Sequence, residues 1–142
     1  MPTGDPDRLL GSGSWDFSLG LAACDFASLS KWNLELHGAA GLLALTDGEV
    51  LEKFQESFAG YGNLSVGWRL ASWLVPRVQV DVHSPFFADT GMASLDDWAV
   101  QLTCGATVRL PAGFALDVAV AEDVAVNTAP DVVFHVGLKR SR

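Results

Sequence analysis

The segment "QLTCGATVRLPAGFALDVAVAED", residues 101–123, alternates apolar and polar residues on both sides of a Pro-Ala-Gly turn. A period of two predicts a β-hairpin with one apolar face and one polar face. The direction of the apolar face decides the class of protein. An inward apolar face makes a soluble sandwich or barrel, whereas an outward apolar face requires lipid as its solvent.

Composition favours the second class. The 142 residues suffice for one domain, and only 18% are charged, against a usual share of about 25%. No apolar run reaches the roughly 18 residues that a membrane helix needs. The net charge of −8 argues against nucleic acid as a partner. The start of the chain lacks the basic and apolar regions of a secretory signal peptide, and residues 1–11 are predicted to be irregular.

Seven stretches are predicted as antiparallel strands. They run from Ser14 to Cys24, Lys31 to Leu45, Gly62 to Leu74, Arg77 to Pro85, Trp98 to Leu110, Gly113 to Ala121 and Val132 to Arg140. Most have about nine residues or more, close to the 9–11 that a tilted strand needs to cross a bilayer. Short and long connections alternate along the chain, which is typical of outer-membrane barrels.

The two predicted faces differ in chemistry. Tryptophans on the apolar face gather near the two strand ends, as in the aromatic belts of membrane proteins. The opposite face mixes small residues with charges of both signs, which predicts a wet interior and an outward apolar face. Its candidate lumen-facing network is Asp16, Glu35, His37, Arg69, Arg77, Asp81, His83, Arg109, Asp117 and His135. These groups either fill a closed interior as ion pairs or line a pore, depending on strand number.

Charge is predicted to differ between the two ends of the strands. Basic residues gather at the short turns: Lys31, Arg77, Arg109, Lys139, Arg140 and Arg142. Acidic residues occupy the long loops, where solvation is favoured over a divalent-cation site. The adjacent pairs Asp96–Asp97 and Glu122–Asp123 are the best candidates for such a cation site.

Catalytic and metal sites are weakly indicated. His83 and Ser84 invite a lipid-hydrolase interpretation, but adjacent strand residues point to opposite faces unless a bulge rotates them. The three histidines lie on non-adjacent predicted strands, and the two cysteines, Cys24 and Cys104, lack metal-ligand spacing. We therefore predict no catalytic residues, no metal and no cofactor.

Closure of the predicted sheet needs a further contribution. The first and last strands run in the same direction, so pairing them would be parallel, whereas single-chain bacterial barrels are antiparallel with even strand counts. We expect the chain to be the C-terminal section of a larger barrel, with missing N-terminal strands or another protomer as its partner.

Three segments carry a family resemblance: "GSGSWDFSLGLA", "VDVHSPFF" and "WAVQLTCGATVRLPAGFALDVAVAEDVAVNTAPDVVFHVGLK". Together they resemble an uncharacterised bacterial outer-membrane family, the domain of unknown function numbered 3187. The resemblance implies an outer-membrane β-barrel with no assigned activity and no catalytic residues.

The sequence thus predicts an all-β, antiparallel, up-and-down transmembrane β-barrel, or a section of one, spanning residues 1–142 and located in the bacterial outer membrane among its lipids. The expected role is passive, porin-like transport or a structural one. A barrel-embedded lipid hydrolase and a soluble, lipocalin-like ligand-binding barrel remain alternatives.

Overall fold

The computed structural model describes residues 15–25, 29–46, 52–125 and 132–140. Seven strands form one antiparallel sheet in chain order. They are β1 (Asp16–Asp25), β2 (Leu34–Leu45), β3 (Phe58–Trp68), β4 (Leu74–His83), β5 (Ala99–Arg109), β6 (Phe114–Ala125) and β7 (Val132–Arg140). The predicted all-β, up-and-down topology is confirmed. β1 and β7 are the two edges of the described sheet, which is therefore open.

The connections alternate in length. The short-turn end of the sheet is where β1 joins β2, β3 joins β4 and β5 joins β6, and its described residues are 29–33, 69–73 and 110–113. The long-loop end is where β2 joins β3, β4 joins β5 and β6 joins β7, and its described residues are 46, 52–57 and 84–98. The second long loop contains the helical turn α1 (Ala93–Asp96). In the described part of the chain, no helix has the length and hydrophobicity needed to cross a bilayer.

Most strand bounds differ from the predicted ones by at least one residue, and β3 begins at Phe58 rather than Gly62. β3 ends at Trp68, and the turn that follows is closed by reciprocal backbone bonds between Ala71 and Leu74. Pro76, predicted to lie in that turn, is instead the third residue of β4, where its missing N–H removes one ladder bond near the strand start. β6 continues to Ala125, so Glu122–Asp123 belong to a strand rather than a loop. Ser14, the first residue predicted as strand, lies outside the described residues.

Exposure separates the two faces of the sheet. The apolar face carries Leu19 in β1, Leu64 in β3, Val80 in β4, Val118 in β6 and Val136 in β7, and these side chains are exposed. The polar face carries the buried residues Glu35, Ser65, Val75 and Ala121. The polar face is therefore the face with the lower solvent exposure.

The sheet curls around its polar face. Glu35 of β2 and Lys139 of β7 line one cavity of about 390 Å³. In a flat sheet, strands five positions apart would be separated by roughly 24 Å. Their shared cavity therefore requires curvature that brings β2 and β7 toward each other over the polar face.

Tyr61 locks the register of the first three strands. Its ring covers Gly41 of β2 and Gly20 of β1, and its hydroxyl lies 2.9 Å from the hydroxyl of Ser18. A Cβ atom on Gly41 would lie 2.5 Å from the ring and 2.7 Å from the Leu19 carbonyl oxygen. Only a residue without a side chain allows this approach, so the glycine specifies where Tyr61 packs.

Candidate functional site

One row of residues crosses the polar face from the short-turn end of β2 to the middle of β7. The register aligns Glu35, Gly67, Arg77, Gly105, Ala119 and His135 on successive strands. In this row, Gly67 separates Glu35 from Arg77, and Gly105 and Ala119 separate Arg77 from His135. The small residues leave the space into which the charged ones reach.

Glu35 is the acidic centre of this row. It is 9% exposed, and its Oε2 accepts a hydrogen bond from Arg77 Nη2 at 3.3 Å. Arg69, just beyond the end of β3, places its Nε 3.8 Å from Glu35 Oε1. A Cβ on Gly67 would lie 3.4 Å from both Arg77 Nε and Glu35 Oε2. Arg77 thus reaches Glu35 across β3 because the intervening residue has no side chain.

The Glu35 carboxylate does not accept hydrogen bonds from all the N–H donors of Arg69 and Arg77. A guanidinium carries five N–H donors. Within the described residues, Arg69 Nη2 and Arg77 Nε are buried and have no hydrogen-bond partner. The cluster therefore holds more positive charge and donor capacity than Glu35 alone satisfies.

A second ion pair lies next to the first. Lys139 Nζ is 2.8 Å from Asp117 Oδ2, and the Thr107 hydroxyl donates to the same carboxylate. A cavity of about 150 Å³ is lined by this pair together with Arg77. The short-turn half of the polar face is thus a continuous charged surface from β2 to β7.

The long-loop half of the polar face has the opposite chemistry. Asp81 accepts two bonds of 3.0 Å from the Gln79 amide, and Asp123 accepts one of 3.1 Å from Gln101. Both carboxylates line a cavity of about 280 Å³ together with Tyr61 and His83. This half has acidic walls and neutral hydrogen-bond donors.

His83 and Ser84 make separate contacts. His83 Nδ1 lies 2.9 Å from the Ser84 carbonyl oxygen, and its ring stacks on Phe86 with centroids 4.8 Å apart. The Ser84 hydroxyl accepts a bond of 2.9 Å from the Gly60 N–H. These contacts join the start of the long loop to β3, and none of them couples the imidazole to the hydroxyl.

The remaining predicted network members are placed by their own contacts and by the strand register. Arg109 donates to the Ser72 carbonyl at 3.2 Å, in the neighbouring short turn. His37 pairs with Ser65, His135 with Ala119, and Asp16 with Leu45 at the long-loop end of β1.

No metal site is formed by the described residues, since no three His, Cys, Asp or Glu side chains converge. Cys24 and Cys104 are free thiols. Their registers place Cys24 beside His37 on the polar face and Cys104 beside Val78 on the apolar face. The curled sheet thus holds the two thiols on opposite sides.

The acidic pair Asp96–Asp97 lies in the second long loop. The Asp96 carboxylate accepts bonds from the Thr90 hydroxyl at 2.7 Å and from the backbone N–H groups of Thr90 and Gly91. The hydrogen bond from the Thr90 hydroxyl is the largest effect on the pKa of Asp96 and holds it below its ordinary value. Desolvation opposes it, and the backbone N–H groups of Thr90 and Gly91 lower the pKa further by smaller effects. The carboxylate therefore organises its own loop.

Tyr61 and Asp123 are missing from the predicted network, although both line the acidic cavity. Each was predicted to lie in a long loop next to a strand. Continuing the period-two alternation from Asn63 back to Tyr61, and from Ala121 on to Asp123, assigns both to the polar face.

The chain belongs to the family described as protein of unknown function (DUF3187), whose model matches residues 1–141. This confirms the family predicted from the sequence. Comparisons with curated proteins and with solved structures gave no match.

Proposed function

We propose that this member of the DUF3187 family is part of an outer-membrane β-barrel whose polar face lines a passive path for small solutes. The observation that carries the proposal is the inverted exposure of the sheet. Leu21 and Val136 are 84% and 76% exposed, whereas Glu35 is 9% exposed. A contiguous apolar surface of this kind is unfavourable in water but matches the hydrocarbon of a bilayer.

The aromatic side chains support the same orientation. Trp15 and Trp98 lie at the long-loop end, and Trp32, Trp68 and Trp73 lie at the short-turn end, all between 49% and 58% exposed. The strands between them have 9 to 12 residues. Two tryptophan belts separated by strands of this length fit the interfaces of a tilted-strand barrel.

Closure of the barrel requires further strands. β1 and β7 both run from the long-loop end to the short-turn end, so an antiparallel closure needs an odd number of added strands. Each backbone N–H or C=O group left unpaired at a sheet edge costs roughly several kcal/mol in lipid. The added strands come from another part of the polypeptide or from another protomer, alongside the outer-membrane lipid as partner.

The polar-face cavities of about 390 and 280 Å³ support a solute path. A second candidate is a structural barrel with a filled interior, which the Glu35–Arg69–Arg77 cluster favours because its charges partly compensate each other. The exposure pattern supports either membrane arrangement over a lipocalin-like binding barrel, in which the valine and leucine face would point inward.

Folding in detergent tests the proposal. The chain is refolded in dodecyl maltoside micelles and in plain buffer, and far-UV circular dichroism and gel mobility before and after boiling are compared. We expect a compact, heat-modifiable β-protein in detergent alone, and stepwise conductance when it is added to a planar bilayer. A monodisperse β-protein in buffer would overturn the lipid-facing orientation. Heat-modifiability without conductance would favour the structural role.

A further inference from the structure

We infer that the short-turn end of the polar face binds small oxyanions, namely the carboxylate or phosphate group of a solute. Among the described residues, the cavity of about 390 Å³ at this end is lined by Arg77, Arg109 and Lys139 and by one acid, Glu35. The inference names the solute class of the proposed path and rests on the proposed function for its role in transport.

The net charge around this cavity is opposite in sign to the net charge of the whole chain. Counting the residues that pair with the cavity lining, Arg69 and Asp117, four cations face two carboxylates, an excess of two positive charges. The whole chain has a net charge of −8. A cleft lined by one sign of charge concentrates ions of the opposite sign, because its low-dielectric walls focus the field.

The arginines retain donors for a ligand. In the described residues, Arg77 donates one hydrogen bond, to Glu35, and Arg109 donates one, to the Ser72 carbonyl. Guanidinium groups match the paired oxygens of carboxylates and phosphates, and such charge-assisted bonds are stronger than neutral ones. An arriving oxyanion would therefore occupy N–H groups that the protein leaves unused.

The strand register leaves room between two of the cations. Arg109 and Lys139 are the partners of Ala115 on its two sides. Strand spacing places their backbones roughly 10 Å apart, and the residue between them in the register is Ala115, whose side chain is one methyl group. This small side chain forms the floor on which an oxyanion can sit.

The long-loop end of the same face provides the contrast. Its cavity is lined by Asp81 and Asp123 and holds no lysine or arginine among its described residues. Anion binding is therefore expected at one end of the polar face only, where the basic residues converge.

Calorimetric titration of the refolded chain tests the inference. Dodecyl maltoside is used because its headgroup is uncharged, or buffer if the chain folds there. Inorganic phosphate, succinate and neutral succinamide are titrated separately. We expect phosphate, succinate or both to bind, with affinity that falls as salt rises, and succinamide not to bind. Binding by phosphate alone identifies a phosphate group as the ligand, and binding by succinate alone identifies a carboxylate.

Two variants and a matched control locate the site. Arg109→Gln is expected to weaken binding about 10-fold, because it removes one charge-assisted bond. Ala115→Met is expected to weaken it by filling the floor while leaving every charge in place. Lys31→Gln removes the same charge at the same end of the sheet, but Lys31 lies over the Trp32 ring outside the cavity, 4.3 Å from its centroid. This control should leave the affinity unchanged.

Equal binding of succinate and succinamide, or equal losses in Arg109→Gln and Lys31→Gln, would overturn the inference. Circular dichroism of each variant separates loss of folding from loss of the site. Binding is measured without a bilayer. Phosphate binding by a chain that does not conduct would therefore contradict the transport proposal but not the present inference. Conductance by a chain that binds no anion would contradict the present inference but not the transport proposal.

Discussion

The apolar face and the polar face of this sheet are built from alternate residues of the same strands, yet they are organised differently. On the apolar face, large side chains such as Leu19 and Phe134 stand exposed. On the polar face, charges and amides contact one another across strands, as Arg77 does with Glu35 and Lys139 with Asp117. Tertiary packing thus organises the polar face, whereas the apolar face depends on the medium that surrounds it.

Placing the same charge on each face at the same depth gives the largest expected difference. Val80 and Gln79 are neighbours in β4, with Val80 on the apolar face and Gln79 on the polar one. Val80→Arg should destabilise the chain in lipid vesicles by about 2–4 kcal/mol, because it places a cation in hydrocarbon. Gln79→Arg should cost less than about 1 kcal/mol, since it puts a cation beside Asp81 on a polar surface. Urea unfolding in vesicles measures both, and equal losses would mean that the faces meet the same medium.

Glycines on the two faces provide a second contrast. Gly41→Ala should lower the free energy of unfolding by about 1–3 kcal/mol, because the new methyl group collides with Tyr61 and the Leu19 carbonyl. Gly38 faces the apolar side, where a Cβ would lie 3.6 Å from its nearest neighbours. Gly38→Ala should therefore change stability by less than about 0.5 kcal/mol. The same unfolding assay decides, and a Gly41→Ala variant as stable as Gly38→Ala would contradict the packing of Tyr61.

The smallest expected effect concerns the charged row of the polar face. Glu35→Gln should lower stability by about 1 kcal/mol, because Arg69 and Arg77 lose their shared carboxylate while remaining partly solvated. Adding Arg77→Gln should recover part of the loss by removing one of the two uncompensated charges. A double-mutant cycle measures the coupling, and strictly additive losses would show that the two side chains act independently.

Much of the fold follows from local pattern. Alternation along segments such as residues 101–109 and 114–123 predicts the strands and which residues share a face, because side chains in an extended chain alternate regardless of their neighbours. The prediction is wrong at Pro76, because proline is typical of turns but this proline lies in β4. A proline near a strand start removes one bond, and only the pairing of β4 with β5 shows that the strand tolerates it.

The sequence predicted which residues share the face of the candidate site, but it did not predict how those residues contact one another. Ten network residues were predicted to share the polar face, and Glu35, Arg69 and Arg77 among them form one cluster. Nothing in the linear pattern distinguishes that cluster from the separate positions of His37 and His135. The distinction arises from cross-strand register, which depends on residues far apart in the chain.

Composition and alternation were therefore enough to predict an all-β sheet with one apolar and one polar face. Alternation depends only on residues that are adjacent in the chain. The tertiary structure decided which polar groups meet. Arg77 reaches Glu35 because Gly67 lies between them with no side chain, and Ala115 leaves a gap between Arg109 and Lys139. These contacts join strands that are separated in the chain, and only the curled, hydrogen-bonded sheet brings them within reach.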